Sequence, residues 1–558
     1  MNDIRRTILW VIFGFSMVLL WDKWQVHNGR HATFFPSQSA SQTAAGQAPA
    51  TTANDLPSAA SAPAAGLPTQ APAAPEAPRE IVSVSTDVLR LGFDSQGATL
   101  VHAEMLKERD MADKSQPFVL FDENGQHTYL AQTGLIGGAY PTHKTPMTLQ
   151  PGARALAEGE NELALRFESP DLGGLKLVKV FTLTRGSYAI GVRHEIVNTG
   201  SSPVSPQLYL QLVRDGNKPE GESSFYSTFT GPAVYTEAKK YQKVEFKAIE
   251  EGKADFEKSA SNGYVAMVQH YFASAWLLAD GVQRELFMRK VDQNLYAVGM
   301  ITSVGEIAPG QSKNLDARLF AGPQVEKTLE ALTPGLELVK DYGMFTILAK
   351  PLYWLLDKIH GVLGNWGWSI IGLVLLLKIA FYWLNAKAYA SMAKMKAINP
   401  RIQEMRERLK DKPQQMQQEM MRIYREEKVN PMGGCLPIVI QIPVFIALYW
   451  VLLSSVEIRN APWIGWVQDL SVKDPYFILP LLMTLSSLLQ TALNPAPPDP
   501  MQAKMMWIMP LMFSVMFFFF PAGLVLYWLT NNILSIAQQW LINTRMGVPP
   551  QFNLPKFR

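Results

Sequence analysis

One lysine, Lys378, lies inside an apolar run from Trp366 to Leu384. About 20 apolar residues suffice to cross a bilayer. A lone cation at that depth costs about 2.5–3.5 kcal/mol on insertion scales, so it must face a polar or wet cavity. Other polar side chains in apolar segments are candidates to share it: Gln441 in one; Ser486, Ser487 and Gln490 in the next; Asn532, Ser535 and Gln539 in the last. The last three are spaced three and four apart and share one helix face. For any single one an interhelical hydrogen bond is the plainer role, above all for Ser486 and Ser487. Together they predict a hydrophilic site inside a membrane. Its chemistry would be electrostatic, a fixed cation drawing in an anionic group.

No catalytic set competes with this reading, and no enzyme activity is expected. Gly252-Lys253 is followed by Ala254 and preceded by no fitting glycine, so there is no P-loop. No histidine pair has zinc spacing, and neither metal nor cofactor is expected. His194 and Glu195 adjoin, but neighbouring strand residues face opposite ways. The single cysteine, Cys435, opens an apolar segment without a base beside it and excludes an intrachain disulfide. A net charge of +3 on 558 residues is too small to imply nucleic acid binding.

Several domains must position the site. Residues 1–24 read as an uncleaved anchor, with Arg5 and Arg6 holding its amino end in the cytoplasm. Residues 25–80 read as a tether. From Pro36 to Glu80 it is rich in Ala, Pro, Ser, Thr and Gln, and Leu56 and Leu67 are its only large aliphatics. Such a chain cannot bury a core; it is expected to be disordered, with a span on the order of 35–40 Å. Residues 81–335 alternate apolar and polar residues between turn signals such as Asn124-Gly125, which predicts a large all-β sandwich. A short helix from Val325 to Leu332 closes it.

Residues 338–362 predict an amphipathic helix in the membrane–water interface; five charges from Lys340 to Lys358 argue against a span. Spans follow at 364–386, 435–456, 475–491, 505–520 and 522–542, six with the anchor. Between Lys387 and Lys428 eleven Lys/Arg stand against six Asp/Glu, whereas the loop 457–474 has two bases and three acids. The tail 543–558 carries Arg545, Lys556 and Arg558 and no acid. Positive loops stay inside. Both termini, the loop 492–504 and the segment 387–430 are therefore expected in the cytoplasm, with the β domain outside. Met392, Met395 and Met405, then Met416 and Met420, repeat at helical spacing on either side of Asp411-Lys412-Pro413 and predict a helical hairpin over 387–430. Those methionines either pack its two helices together or also receive hydrophobic partners.

The stretches Gly364-Asn365-Trp366-Gly367, Met392-Ala393-Lys394-Met395, Asn430-Pro431-Met432-Gly433-Gly434-Cys435, Gln441-Ile442-Pro443, Pro521-Ala522-Gly523-Leu524-Val525-Leu526-Tyr527-Trp528 and Gln538-Gln539 are similar to those of the YidC family of membrane protein insertases, in its Gram-negative form. They keep the family's order over about residues 350–545, and the anchor, tether and β domain match its plan. The resemblance implies a β-supersandwich, related in fold to sugar mutarotases but without known catalysis. It implies a groove open to cytoplasm and lipid in the bacterial inner membrane, with Lys378 where Gram-negative members usually carry Arg. A wet groove is expected to keep Lys378 charged. Gln441, Asn532, Ser535 and Gln539 would line that groove, with Ser535 where Thr is common. Pro443, Phe445, Phe517, Phe519 and Tyr527 would form the surface along which clients slide. The partners implied are nascent membrane proteins, the Sec translocon, the ribosome and signal recognition pathway, and membrane lipids. The competing functions are a solute transporter with Lys378 as counter-ion, and an envelope carbohydrate-binding or carbohydrate-modifying protein acting through the β domain.

Overall fold

The computed structural model describes residues 56–57, 79–111, 113–219, 228–409, 412–427, 436–494, 500–545, 547 and 552. The expected anchor, most of the tether, Cys435 with the seven residues before it, and most of the tail after Arg545 lie outside the described residues. The chain divides into two compact units between Lys340 and Asp341.

The first unit is β-rich, with two short helices, α1 (Phe246–Glu250) and α2 (Glu326–Leu332). One nine-stranded sheet runs Ile81–Ser85, Leu89–Asp94, Thr99–Arg109, Pro117–Glu123, Thr128–Ile136, Gln207–Asp215, Leu295–Ser303, Arg284–Asp292, Ser259–Ala260. The other runs Lys240–Lys243, Gly231–Thr236, Tyr264–Gln269, Phe272–Leu278, Ser312–Pro323, Ala189–Asn198, Leu175–Thr184, Glu162–Glu168, Thr148–Leu149. Both sheets are antiparallel. Strand Glu162–Glu168 shows the alternation that builds them: Leu163, Leu165 and Phe167 point inward and are buried, while Glu162, Ala164 and Arg166 face out. Gln207–Asp215 is covered on both faces, although Gln207, Gln211, Arg214 and Asp215 are polar. Tyr129 and Arg214 are cross-strand partners on the face toward the second sheet, where the Tyr129 hydroxyl shares a 2.6 Å hydrogen bond with Ser274 Oγ. His194 is fully buried, whereas Glu195 faces the other way, 3.0 Å from Arg166.

Lys179 is also fully buried in this unit. Its amine donates to Gly97 O at 2.6 Å and Thr133 O at 2.8 Å. Burial pushes its pKa down from 10.5 to about 7. Two carbonyl acceptors suit the two protons of a neutral amine. Neighbouring His194, bonded to Thr133 Oγ1 at 3.0 Å, is pushed down to about 3 by burial and then by Lys179.

The second unit is helical: α3 (Thr346–Leu363), α4 (Trp366–Ala380), α5 (Tyr382–Arg408), α6 (Pro413–Glu426), α7 (Leu436–Ser454), α8 (Ile478–Leu493), α9 (Pro500–Phe517) and α10 (Ala522–Arg545). The α3–α4 joint explains one sequence stretch residue by residue. Gly364 adopts φ +64° and closes α3, its N–H reaching His360 O. Asn365 caps α4 by accepting from Trp368 N–H at 3.1 Å, and its amide donates to Pro462 O and Trp463 O. Trp366 stacks on His360 at 3.9 Å. A Cβ on Gly367 would stand 2.2 Å from the Trp463 ring, so only glycine fits.

Among the described residues no single helix is long and apolar enough to cross a membrane. Among them one bent pair, helix α4 together with Tyr382–Ser391, has the length and composition of a span. The span expected at 364–386 falls on this bent pair: the helix breaks at Phe381 and turns by 66°. The break keeps hydrogen bonds on both sides, from Phe381 N–H to Leu377 O and from Asn385 N–H to Phe381 O. Large apolar side chains remain exposed on α8, as at Leu481 and Leu485, and on α9, as at Met512 and Val515.

Candidate functional site

Lys378 sits in the last turn of α4, where the carbonyl end of the helix favours a cation. The side chain is half-buried. Its ammonium donates a 2.7 Å hydrogen bond to Ser535 Oγ on α10, and Ser535 Oγ donates onward to Asn531 O at 2.7 Å. No acid is paired with Lys378 among the described residues; its partner is a neutral hydroxyl. A small cleft of about 10 Å³ adjoins it, lined by Leu377, Phe381, Asn385, Gln441, Tyr527 and Asn531 among others. That is room for about one water molecule. Lys378 therefore has a protein oxygen as its partner and borders a recess lined by both polar and apolar side chains.

Helix α10 positions this set and divides it. Asn532 and Gln539, seven residues apart, differ by only roughly 20° around the helix, whereas Ser535 is turned roughly 50° and Gln538 roughly 110° from the mean of that pair. Asn532 faces α8, donating to Ser487 Oγ at 2.9 Å and Ser486 Oγ at 3.3 Å. Gln539 donates to Asn494 Oδ1 just past the end of α8, at 3.2 Å. Ser535 meets Lys378 on α4, and Gln538 accepts from Asn385 Nδ2 on α5 at 3.4 Å. The three α10 residues expected on one groove face thus split: Ser535 joins Lys378, while Asn532 and Gln539 tie α10 to α8. Gln441 lies at the recess and its amide reaches Tyr527 OH at 3.4 Å. Asn385 and Asn531 were not singled out from the sequence, and Gln538 was named there only within a stretch similar to the family, not as a site residue. Asn385 had a readable signal, since it is a polar residue adjoining the apolar run that holds Lys378.

The aromatic surface divides as well. Phe445 is half-buried, stacked on Tyr527 with centroids 5.9 Å apart and edge-on to Trp528 at 4.3 Å. Phe519 is 43% exposed, whereas Phe517 and Tyr527 are 3% and 2% exposed and belong to the helical core. Pro443 lies inside α7, where it removes one backbone donor.

In the α5–α6 pair, Ile398, Ile402, Met405 and Ile423 form a buried cluster with Met395, Met416 and Met420 packed against it. Arg401 bridges to Glu427 at 2.8 Å and Glu426 at 3.1 Å. Of the expected methionine face, Met405 is interior and Met395, Met416 and Met420 are partly covered; the side chain of Met392 lies outside the described set.

The start of α8 and the start of α10 meet a tightly bonded loop. Asp474, almost fully buried, accepts from Trp466 Nε1 at 3.1 Å, Tyr476 N–H at 3.0 Å and Leu479 N–H at 2.7 Å. Ala522 N–H and Gly523 N–H at the start of α10 donate to Val472 O and Leu470 O of the same loop.

Two family models match the chain. One described as YidC periplasmic domain covers residues 81–355, and one described as 60Kd inner membrane protein covers residues 358–548. The chain is 57% identical over 550 residues to the membrane protein insertase YidC of Cupriavidus metallidurans, covering 98% of each. It is 55% identical over 553 residues to that of Ralstonia nicotianae, again covering 98% of each. Among solved structures, a crystal structure of an active YidC insertase with its first transmembrane domain resolved aligns at 18% identity and TM-score 0.38, over 82% of this chain and 93% of that one. A galactose mutarotase related enzyme from Lactobacillus acidophilus aligns at 7% identity and TM-score 0.29, over 43% of this chain and 97% of that one.

Proposed function

The chain belongs to the YidC family of membrane protein insertases, an inner-membrane family with a periplasmic domain, and from that premise we propose how its residues act on a client. It is an insertase that acts on nascent membrane proteins. Insertases of this family are not classical enzymes, and neither the solute-transporter nor the carbohydrate reading is supported.

The reading rests on the Lys378–Ser535 pair. A client's polar tail must cross about 30 Å of hydrocarbon. A cation held partway, beside the recess lined by Asn385, Gln441 and Asn531, offers an acidic tail a favourable stop. The hydroxyl of Ser535 gives the ammonium a neutral partner, so an incoming carboxylate does not first have to displace an acid. The client's apolar helix then leaves past Phe445 and Phe519 into lipid. Partition supplies the drive, roughly 25 cal/mol per Å² of apolar surface removed from water, and no nucleotide is needed. Six spans with both ends in the cytoplasm, a groove reached from the inner side, and transient work with the Sec translocon, ribosome and signal recognition pathway complete the proposal.

Photocrosslinking during translation tests it. Photoreactive residues at positions 445 and 519 should capture a client's apolar segment, and one at the buried position 517 should do so far less. Equal capture at all three positions, or none at 445 and 519, would overturn the route.

A further inference from the structure

Leu56 and Pro57 stand isolated in a segment whose composition predicts no fixed structure, yet Pro57 is buried. The contact made by Leu56 is specific. Arg289 Nη1 donates to Leu56 O at 3.2 Å, and Nη2 reaches Gln211 Oε1 at 3.4 Å. The Gln211 amide in turn donates to Gln132 Oε1 at 2.8 Å, so a fully buried glutamine holds the guanidinium in place. The same guanidinium lies 5.8 Å from the Phe287 ring.

These residues share one face of the first sheet. Gln211 is the register partner of both Gln132 and Gly299, and Gly299 is the partner of Phe287. Gln211 is one residue off the parity of Arg214, whose cross-strand partner Tyr129 reaches the second sheet, so this face looks away from the sandwich interior. Gly299 shapes it: a Cβ there would meet the end of the Phe287 ring at 2.4 Å, so the ring reaches over the glycine. The result is an apolar floor with a fixed guanidinium at its edge, able to bind a backbone carbonyl without reading a side chain.

We infer that this face is a peptide-binding groove whose resident ligand is the chain's own Leu56-Pro57. Leu56 is one of only two large aliphatics between Pro36 and Glu80. A proline suits such a seat, because its fixed φ loses little conformational entropy on docking and it has no N–H to leave unpaired. The segment is thereby clipped to the β domain at one point rather than running as a single uninterrupted leash.

Electron paramagnetic resonance on the full-length protein tests the clip. With Cys435→Ser as background, nitroxides are placed at Ser58→Cys and at Ser303→Cys, an exposed position on the same sheet. The parent should give one narrow distance distribution. Arg289→Ala should widen it at least about twofold with an unchanged circular dichroism spectrum, as expected for a released coil. Pro57→Gly, which leaves the β domain untouched, should widen it as well. A broad distribution in the parent, or a width that neither substitution moves, overturns the inference.

Discussion

The ammonium of Lys378 and the hydroxyl of Ser535 meet at 2.7 Å although 157 residues separate them in the chain. This bond joins the first and last helices of the site, α4 and α10, at the point where charge is expected to matter. Lys378→Met should therefore lower insertion of clients with acidic translocated tails by about tenfold, the equivalent of about 1.4 kcal/mol. Clients with neutral tails should change little, and Lys378→Arg should retain activity. Reconstituted proteoliposomes measure all three, and full-rate insertion of acidic-tailed clients by Lys378→Met would refute the electrostatic role.

Asn532 should behave differently, because its amide is spent on Ser486 and Ser487. Asn532→Leu should lower the stability of the helical unit by about 0.6–1.7 kcal/mol, the range for polar contacts between membrane helices. The readout is thermal unfolding in detergent. Insertion by the folded fraction should stay near the parent rate.

Met405 and Met421 provide a matched pair on the hairpin. Met405 is 4% exposed in the α5–α6 cluster, while Met421 is 50% exposed. Met405→Ala should loosen the pair by about 2–5 kcal/mol. Met421→Ala should change its stability by less than about 0.5 kcal/mol. Hydrogen exchange over residues 395–425 distinguishes them.

Lys179 predicts a pH dependence in the β domain. Its folded pKa of about 7 lies below the ordinary 10.5, so between those values the unfolded chain binds more protons. Stability contributed by this group must rise with pH across that window, by up to about 1.4 kcal/mol per unit, and be lowest below about 7. Lys179→Met should abolish that slope while leaving Gly97 O and Thr133 O without their donor. Exchange rates of strand Leu175–Thr184 between pH 7 and 10, compared for parent and variant, measure the difference. Identical slopes would contradict the assignment.

The sequence made some of this legible and hid the rest for physical reasons. Strands such as Glu162–Glu168 announce themselves because one face is wet and the other dry. Lys378 announces itself because a cation in an apolar run is costly and needs an explanation. The break at Phe381 is silent, since no glycine or proline lies between Leu373 and Ala388 and packing alone sets the bend. The burial of Phe517 is silent too, because an apolar side chain looks the same whether its neighbour is lipid or protein. The division of α10 between Ser535 and Asn532 depends on a rotation smaller than one residue's turn, which spacing by threes and fours blurs.

The bend at Phe381 also fixes a length. Helix α4 has 15 residues, about 22 Å of rise, against some 30 Å of oil in an ordinary bilayer. If α4 crosses the membrane as the proposed function requires, lipids flanking so short a rod must compress to match it. The barrier would then be lowest beside the lysine, and a hydrophilic tail would cross partly because the membrane itself is squeezed.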